Sequence, residues 1–274
     1  MLSLHTNNAA LSAQSSIGRT QGGLSTSMTR LSTGFRINSA MDDAAGLQIA
    51  TRLKSQTSGM AVAMRNTQNA TSMIQTAGGA LAEIKNMLIR MKDLATQAAD
   101  GASSTEDVTA LKAEFDDLKK EIANVVDNTT FGGTALLKTT GFAAKVTFQI
   151  GATTAEQMEV DVGTNVGKIG TDSAALAITN QTDANTTIDK VQAVIDTVST
   201  VDSALGGAAN RLQHVYNNLS NISSNTKAAI GRIMDTDFAT ESANMTKNQM
   251  LTQAGTAMLK QSNQMSQMVM SLLQ

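Results

Sequence analysis

Adjacent carboxylates at Asp42 and Asp43 are the first feature of the sequence that could carry chemistry, and they lie in the stretch RINSAMDDAAGLQIATRL. Two close carboxylates can act as general acid and base, or they can hold a cation. Neither a histidine nor a third carboxylate lies near them in the sequence. This favours helix capping, or ion pairing with a neighbouring arginine: Arg30, Arg36 or Arg52.

Histidine, cysteine and glycine offer few other candidates for a reactive site. Neither His5 nor His214 has a partner at the spacing of a zinc-binding helix such as H-E-x-x-H. The sequence has no cysteine, which excludes thiolate metal sites and cysteine nucleophiles. The pairs Gly78–Gly79 and Gly206–Gly207 lack a phosphate-binding motif around them, and close contact between helices explains them better. We therefore expect no catalytic site, no metal and no cofactor.

Composition narrows the class of protein and of partner. The 274 residues carry a formal net charge of -2 and only 16% are charged, so no nucleic acid partner is expected. Aromatic residues make up 3%, whereas methionine occurs 16 times. This composition suits helices that meet along narrow seams better than it suits an enzyme core. The sequence has neither a signal-peptide pattern nor the roughly 20 consecutive apolar residues of a membrane span, so no membrane insertion is expected.

Heptad spacing of apolar residues predicts long helices that carry coiled-coil seams. A first seam comprises Ile74, Ala77, Leu81, Ile84, Leu88, Met91, Ala95 and Ala98. After a turn in which Ser103 and Glu106 have capping-box spacing, a second seam comprises Val108, Leu111, Phe115, Leu118, Ile122 and Val125. A third comprises Ile188, Val191, Ile195, Val198, Val201, Leu205, Ala208, Leu212, Val215, Leu219 and Ile222.

Between the second and third seams the repeat changes from helical to alternating. The stretch KVTFQIGATTAEQMEVDVG places apolar residues at alternate positions on both sides of a polar turn, which predicts a β-hairpin. The neighbouring stretches FGGTALL and GTNVGKIGTDS are rich in the residues of turns. Residues 128–186 are therefore predicted to form a small region of strands and loops between helices.

Both ends of the chain carry an amphipathic helix with nothing local to bury against. The apolar stripes are Leu24, Met28, Leu31 and Phe35 at one end, and Leu251, Met258, Met265 and Leu272 at the other. We expect the ends to pack together as one coiled coil and to pack with copies of themselves. The predicted fold is mainly α, with long antiparallel coiled-coil helices from both termini and a small β-hairpin region at the central bend.

Three motifs resemble those of bacterial flagellins: RLSTGFRINSAMDDAAGLQIATRL, ALGGAANRLQHVYNNL, and the stretch from Gly231 to the end. The resemblance covers most of residues 1–127 and 188–274. It implies a secreted structural subunit, not an enzyme, that polymerises into the extracellular helical filament of the bacterial flagellum used for motility. The wording of SLHTN and QTSGM resembles flagellins of lateral, swarming-type systems most.

The family resemblance also implies a division into layers. Residues 1–38 and 234–274 would form an inner tube of terminal helices, whose assembly core contains the eight stripe residues named above. Residues 39–233 would form a helical rod with β-hairpins, and the chain has no room for outer variable domains. Four residues would make the domain connection and contacts between subunits: Arg36, Asn38, Asp42 and Asp43.

Further partners follow from the resemblance alone. They are other copies of this chain, a flagellar export chaperone, a filament cap and hook-junction proteins. The stretch IRMKDLATQ is similar to the helix patch that the vertebrate Toll-like flagellin receptor recognises, which implies a receptor patch at Arg90, Leu94 and Glu114. The same residues could instead serve contacts between subunits.

Two other functions stay open on the sequence. A hook–filament junction protein shares the terminal-helix design, but the strong match of both terminal motifs argues against it. A non-flagellar signalling coiled coil predicts a membrane span or a membrane-associated partner, and it leaves the β-hairpin region unexplained. Filaments formed by the purified protein would favour the flagellin interpretation, whereas discrete dimers would favour the signalling one.

Overall fold

The computed structural model of the chain describes residues 7–138 and 140–271, with the backbone alone at positions 266, 267 and 269–271. Contacts between Cα atoms divide it into two compact units. We call residues 1–55 and 225–274 the terminal unit and residues 56–224 the central unit, and we describe each by itself. The layer boundaries predicted at 38/39 and 233/234 concern the filament and stay a prediction.

The chain is mainly α, as predicted. The helices are α1 (Asn8–Thr33), α2 (Ala44–Ala98), α3 (Thr105–Asn128), α4 (Gly163–Ala174), α5 (Gln181–Met234) and α6 (Phe238–Ser271). The strands are β1 (Thr130–Phe131), β2 (Thr134–Ala135), β3 (Val146–Gln149) and β4 (Gln157–Val160), and a short 3-10 helix spans Gly141–Ala143. Helices α2 and α5 each contribute residues to both units.

The core of the central unit is built on the predicted seams. Every residue of the first seam, on α2, is at most 4% exposed. Phe115 and Ile122 of the second seam are buried on α3, and the third seam, on α5, is buried at most of its positions and open at Ile222. One cluster of buried side chains joins these helices to α4 and both hairpins. Periodic apolar residues therefore find their partners within this unit.

The start of α3 corrects the predicted capping box by one residue. Ser104 Oγ accepts a hydrogen bond from Asp107 N at 3.1 Å, and Asp107 Oδ2 accepts one from Ser104 N at 3.1 Å. The predicted pair, Ser103 and Glu106, is wrong because the helix begins one residue later. Ser103 Oγ instead donates to the carbonyl oxygen of Gln97 at 2.9 Å, which closes the turn before the cap.

The predicted β-hairpin is confirmed. Strands β3 and β4 are antiparallel, with Val146 opposite Val160 and Phe148 opposite Met158. The stretch FGGTALL forms the shorter hairpin of β1 and β2, and the two glycines of its turn both have positive φ angles. The alternating pattern thus located the larger hairpin, whereas FGGTALL was predicted only to contain turns and its hairpin was not foreseen.

The interpretation of GTNVGKIGTDS as turns is wrong, because this stretch forms most of α4. Val166, Ile169 and Ser173 are buried at helical spacing, and α4 contacts both α3 and the 3-10 helix. Burial of one apolar face outweighs the poor helix propensity of the glycines. Gly163 has a separate reason, since a Cβ atom there would lie 2.7 Å from the carbonyl oxygen of Ala143.

Candidate functional site

Asp42, the first of the two adjacent carboxylates, stabilises the turn that precedes it. Its Oδ2 atom accepts hydrogen bonds from Ser39 N at 2.9 Å, Asn38 N at 3.1 Å and Ser39 Oγ at 3.1 Å. These bonds stabilise the charged form and hold the pKa of Asp42 below its usual value, with the Ser39 amide as the main cause. No group of three or more His, Cys, Asp or Glu that could hold a metal ion occurs in the described part of the chain.

Asp43 caps the start of α2. Its Oδ1 atom accepts a hydrogen bond from Gly46 N at 2.8 Å, in the first turn of the helix. The glycine is required, since a Cβ atom there would lie 2.4 Å from Asp43 Oδ2 and 2.8 Å from Ile37 Cδ1. Ile37 is only 1% exposed. The connection between α1 and α2 is therefore a fixed structure and not a loose linker.

An arginine of α1 lies between two acidic groups. Arg30 Nη1 is 3.6 Å from Glu241 Oε2, and Arg30 Nη2 is 4.0 Å from Asp42 Oδ1. Glu241, on α6, is 7% exposed. Of the three arginines considered as partners for the carboxylates, Arg30 is the one that the structure brings to them. The interaction ties α1, α6 and the connection together within the terminal unit.

The side chains of Arg36 and Asn38 contact backbone carbonyls rather than carboxylates. Arg36 donates from its backbone N to the carbonyl oxygen of Met234 at 2.6 Å, and from Nη2 to that of Ile233 at 2.8 Å. Asn38 Nδ2 donates to the carbonyl oxygen of Phe35 at 2.8 Å. Phe35 in turn forms an antiparallel bridge with Asp235. The connection after α1 is thus joined to the segment between α5 and α6.

Helices α1 and α6 pack against each other along a heptad seam in which small and polar residues outnumber large apolar ones. The less exposed positions follow steps of three and four: Ala10, Ala13, Ile17, Thr20, Leu24, Ser27 and Leu31 on α1, and Met245, Asn248, Thr252, Gly255, Leu259 and Ser262 on α6. The pair is antiparallel, since Asn7 Nδ2 donates to the carbonyl oxygen of Ser262 at 3.2 Å while Arg30 meets Glu241. The two terminal helices therefore pack together as predicted.

Close approach of the two helices depends on their smallest residues. A Cβ atom on Gly255 would lie 2.8 Å from Ile17 Cγ1, and one on Gly23 would lie 3.0 Å from Asn248 Nδ2. Hydrophobicity patterns do not register such positions, so Ser27, Asn248 and their neighbours were not among the predicted site residues. Heptad spacing of small residues is the signal that could have found them.

The predicted apolar stripe on α6 is not the face that meets α1. Leu251 is 48% exposed, Met258 68% and Met265 56%, whereas the seam runs through the adjacent residues Thr252 and Leu259. Leu272 lies outside the described residues. The predicted register is therefore wrong by one residue for the contact within the chain, because most of the actual seam residues on α6 are small or polar.

The stripe on α1 divides between the seam and the surface. Leu24 and Leu31 lie in the seam, but Met28 is 51% exposed and Phe35 is 40% exposed. Further large apolar side chains are exposed on the same two helices: Leu11, Phe238, Met250 and Met268. Apolar side chains concentrated on one helix pair in this way mark an interaction surface. We call the exposed residues Leu11, Met28, Met250, Leu251, Met258, Met265 and Met268 the apolar surface.

Two residues of the predicted receptor patch are accessible and one is not. Arg90 Nη2 and Glu114 Oε1 form an ion pair at 2.7 Å, and their side chains are 49% and 47% exposed. Leu94 is 0% exposed. The expectation that Leu94 fills a pocket on a receptor is therefore wrong for the folded chain, because its side chain belongs to the core of the central unit.

The glycine pairs of α2 and α5 also need a correction. A Cβ atom at Gly79, Gly206 or Gly207 would meet no atom within 4 Å, and one at Gly78 would come no closer than 3.9 Å, to Asp202 Oδ1. The prediction of close helix contact at these pairs is wrong within the chain.

No helix in the described residues is both long and apolar enough to cross a membrane.

Comparison with known proteins places these features in a family. Residues 4–141 match the bacterial flagellin N-terminal helical region, and residues 188–273 match the bacterial flagellin C-terminal helical region. Flagellin of Halalkalibacterium halodurans is 42% identical over 247 residues, which cover 90% of this chain and 90% of that protein.

Two solved structures are similar as well. The crystal structure of Bacillus cereus flagellin matches with a TM-score of 0.49 at 31% identity, covering 61% of this chain and 94% of that chain. A candidate flagellar hook-associated protein from Vibrio parahaemolyticus matches with a TM-score of 0.57 at 14% identity, covering 71% of this chain and 100% of that chain. At this identity the second match shows a shared fold alone.

Proposed function

This chain belongs to the bacterial flagellins, and we propose that its α1–α6 helix pair joins the subunits of the flagellar filament. Flagellins are structural proteins, not enzymes, and they form the extracellular filament by self-polymerisation. The chain is such a subunit. No finding favours a hook–filament junction protein or a signalling coiled coil.

The observation that carries the proposal is the apolar surface on α1 and α6. Within the chain these side chains stay in water, although burying one Leu or Met side chain contributes about 1.5–3 kcal/mol. A helical polymer forms when one surface of a subunit binds a different surface of the next, so the contact repeats without closing. Repeated burial of the apolar surface supplies a driving force for such a polymer.

The layers predicted from the family resemblance are part of the same proposal. Residues 1–38 and 234–274 form the inner tube, and residues 39–233 form the rod, without outer variable domains. The inner core contains Leu24, Met28, Leu31, Phe35, Leu251, Met258, Met265 and Leu272. The hydrogen bonds of Arg36, Asn38, Asp42 and Asp43 support their role in the connection, because these bonds fix the direction of the chain where the two layers meet.

Partners other than the chain itself are proposed from the family resemblance. The subunit is exported unfolded through the flagellar type III apparatus, with a dedicated chaperone covering the C-terminal helix, and it is inserted beneath a filament cap onto hook-junction proteins. The exposed methionines of α6 support the proposal that a chaperone binds this helix, because an exposed apolar helix face favours association with another protein before assembly. Arg90 and Glu114 support contact with the Toll-like receptor, whereas Leu94 holds the helix beneath them.

Seeded polymerisation of the full-length protein tests the proposed function. Purified monomer with seeds or ammonium sulphate should give helical filaments in electron micrographs and a pellet on sedimentation. Met258→Glu should abolish both, because it places a charge on the apolar surface, and its circular dichroism should match wild type. The matched control is Gln253→Glu, which adds the same charge at another exposed position of α6 and should assemble. Normal assembly of Met258→Glu would contradict the proposal.

A further inference from the structure

Methionine is distributed unequally between the two units. Among the side chains that the structure describes, every exposed methionine lies in the terminal unit: Met28, Met41, Met250, Met258, Met265 and Met268. They are 51% to 96% exposed. Those of the central unit are buried or half-buried, and Met60, Met91 and Met158 are at most 3% exposed. Because the chain has no cysteine, methionine is its only sulfur-containing side chain.

We propose that the exposed methionines of α6, at positions 250, 258, 265 and 268, are an oxidation site that controls assembly. This inference rests on the proposed function. A peroxide supplies the oxidant: the thioether sulfur attacks one peroxide oxygen, the O–O bond breaks, and an S–O bond forms. Sulfur is oxidised by two electrons to the sulfoxide while hydrogen peroxide is reduced to water. No other group of the chain has to take part.

The position of these methionines decides the effect of oxidation. A sulfoxide is polar and accepts hydrogen bonds, so burying it against the neighbouring subunit without a partner costs free energy. In the monomer the same group stays in water, and α6 keeps its seam with α1 through other residues. Oxidation therefore blocks assembly without unfolding the chain. A methionine that is already buried in a filament is shielded from the oxidant.

Leucine is the natural replacement for testing this site. Leu251 stands one heptad before Met258 on the same stripe, so the surface already accommodates leucine. Leucine has nearly the volume and helix propensity of methionine, but it has no oxidisable atom. Replacing these four methionines, together with Met28, the fifth methionine of the apolar surface, with leucine should therefore preserve assembly while removing its sensitivity to oxidation.

The experiment treats monomer with dilute hydrogen peroxide, maps sulfoxides by peptide mass spectrometry, and measures the critical concentration for seeded polymerisation. Met258 and Met265 should oxidise well before Met91 and Met158. Oxidised wild type should show a critical concentration raised at least about tenfold, equivalent to roughly 1.4 kcal/mol per subunit added. The variant with leucine at the four α6 positions and at Met28 should polymerise equally before and after treatment.

Two controls keep the outcome decisive. Met41 is 96% exposed but lies on the connection between α1 and α2, so Met41→Leu should lose assembly on oxidation as wild type does. Treating oxidised wild type with methionine sulfoxide reductases should restore assembly. Failure of untreated wild type to polymerise would refute the proposed function. The oxidation site alone is refuted if fully oxidised monomer assembles normally, if the leucine variant becomes sensitive, or if reduction restores nothing.

Discussion

The terminal and central units both contain heptad repeats, but the repeats bury different kinds of residues. In the central unit the α2 seam is apolar and belongs to one buried cluster with residues of α3, α4 and α5. Its residues are at most 4% exposed. In the terminal unit the seam between α1 and α6 is mostly small and polar, and large apolar residues such as Leu251 and Met258 stay at the surface. The first arrangement completes its core within one chain. The second leaves much of its apolar area exposed within the chain, and this is the area that we propose is buried on assembly.

This difference predicts where the free energy of each unit comes from. Burial of large side chains stabilises the central unit directly, at about 25 cal/mol per Å² of apolar area. The helix pair of the terminal unit buries mostly alanine, serine, threonine and glycine, so it gains less from its internal contact. Most of its stability should therefore come with assembly.

The largest effect on monomer stability is expected from truncating the central core. Leu88→Ala, at a position that is 0% exposed, should lower the free energy of unfolding by about 3 kcal/mol or more. Leu259→Ala, in the half-buried seam of α6, should cost about 1 kcal/mol in the monomer and weaken polymerisation as well. Urea unfolding followed by circular dichroism measures both. Equal losses would contradict the contrast between the units.

A backbone position of the central unit should come next. Gly141 has a φ of 62°, and a Cβ atom there would lie 2.5 Å from the carbonyl oxygen of Ala135. Gly141→Ala should therefore destabilise the monomer by about 2 kcal/mol. Gly167→Ala is the matched control, since α4 has open space there, and it should stabilise by about 0.5–1 kcal/mol. Thermal unfolding should order the three proteins accordingly.

Much of the central unit could be predicted from sequence because its apolar residues are large and regularly spaced. Ile74 and Leu88 belong to a seam that the spacing located correctly from end to end. Helix α4 was missed because three glycines hid the helical spacing of Val166 and Ile169, and packing against α3 decided its structure. The contact between α4 and α3 cannot be inferred from the residues of α4 alone.

The candidate site was harder to predict than the core. Leu251 and Met258 stood out as a stripe because they are apolar, but the seam that meets α1 is made of residues such as Thr252 and Gly255. The hydrophobic pattern therefore located residues of the apolar surface, but it was interpreted as the contact between α1 and α6. Arg30 was one of three arginines considered as the partner of Asp42. The sequence could not distinguish among the three, because the distance between the side chains depends on the folded structure.

The capping box of α3 should show a smaller effect. Ser104→Ala removes the hydroxyl that accepts from Asp107 N and should cost about 1 kcal/mol. Glu106→Ala, at the position that sequence spacing suggested, should change the free energy of unfolding little, because no bond from that side chain supports the cap. Chemical unfolding of both variants checks the register. A larger loss for Glu106→Ala would reverse the assignment.

The smallest effect should be the pH dependence of the terminal connection. The pKa of Asp42 is lowered in the folded chain, so its contribution is present above the unfolded value near 3.8 and is lost as pH falls through the folded pKa. Asp42→Asn should therefore be less stable than wild type at neutral pH and should match it below the folded pKa of Asp42. Unfolding of monomer across this range measures the difference. A difference that persists in strong acid would assign the effect to something other than the charge.

Hydrogen exchange of the same protein as monomer and as filament tests the contrast between the units most directly. Amides of α2 between residues 74 and 98 should exchange slowly in both states, because the central core is complete within the chain. Amides of α1 and α6 should exchange much faster than these in the monomer and become protected in the filament. The account is contradicted if α1 and α6 are as protected as α2 in the monomer, or if they gain no protection on polymerisation.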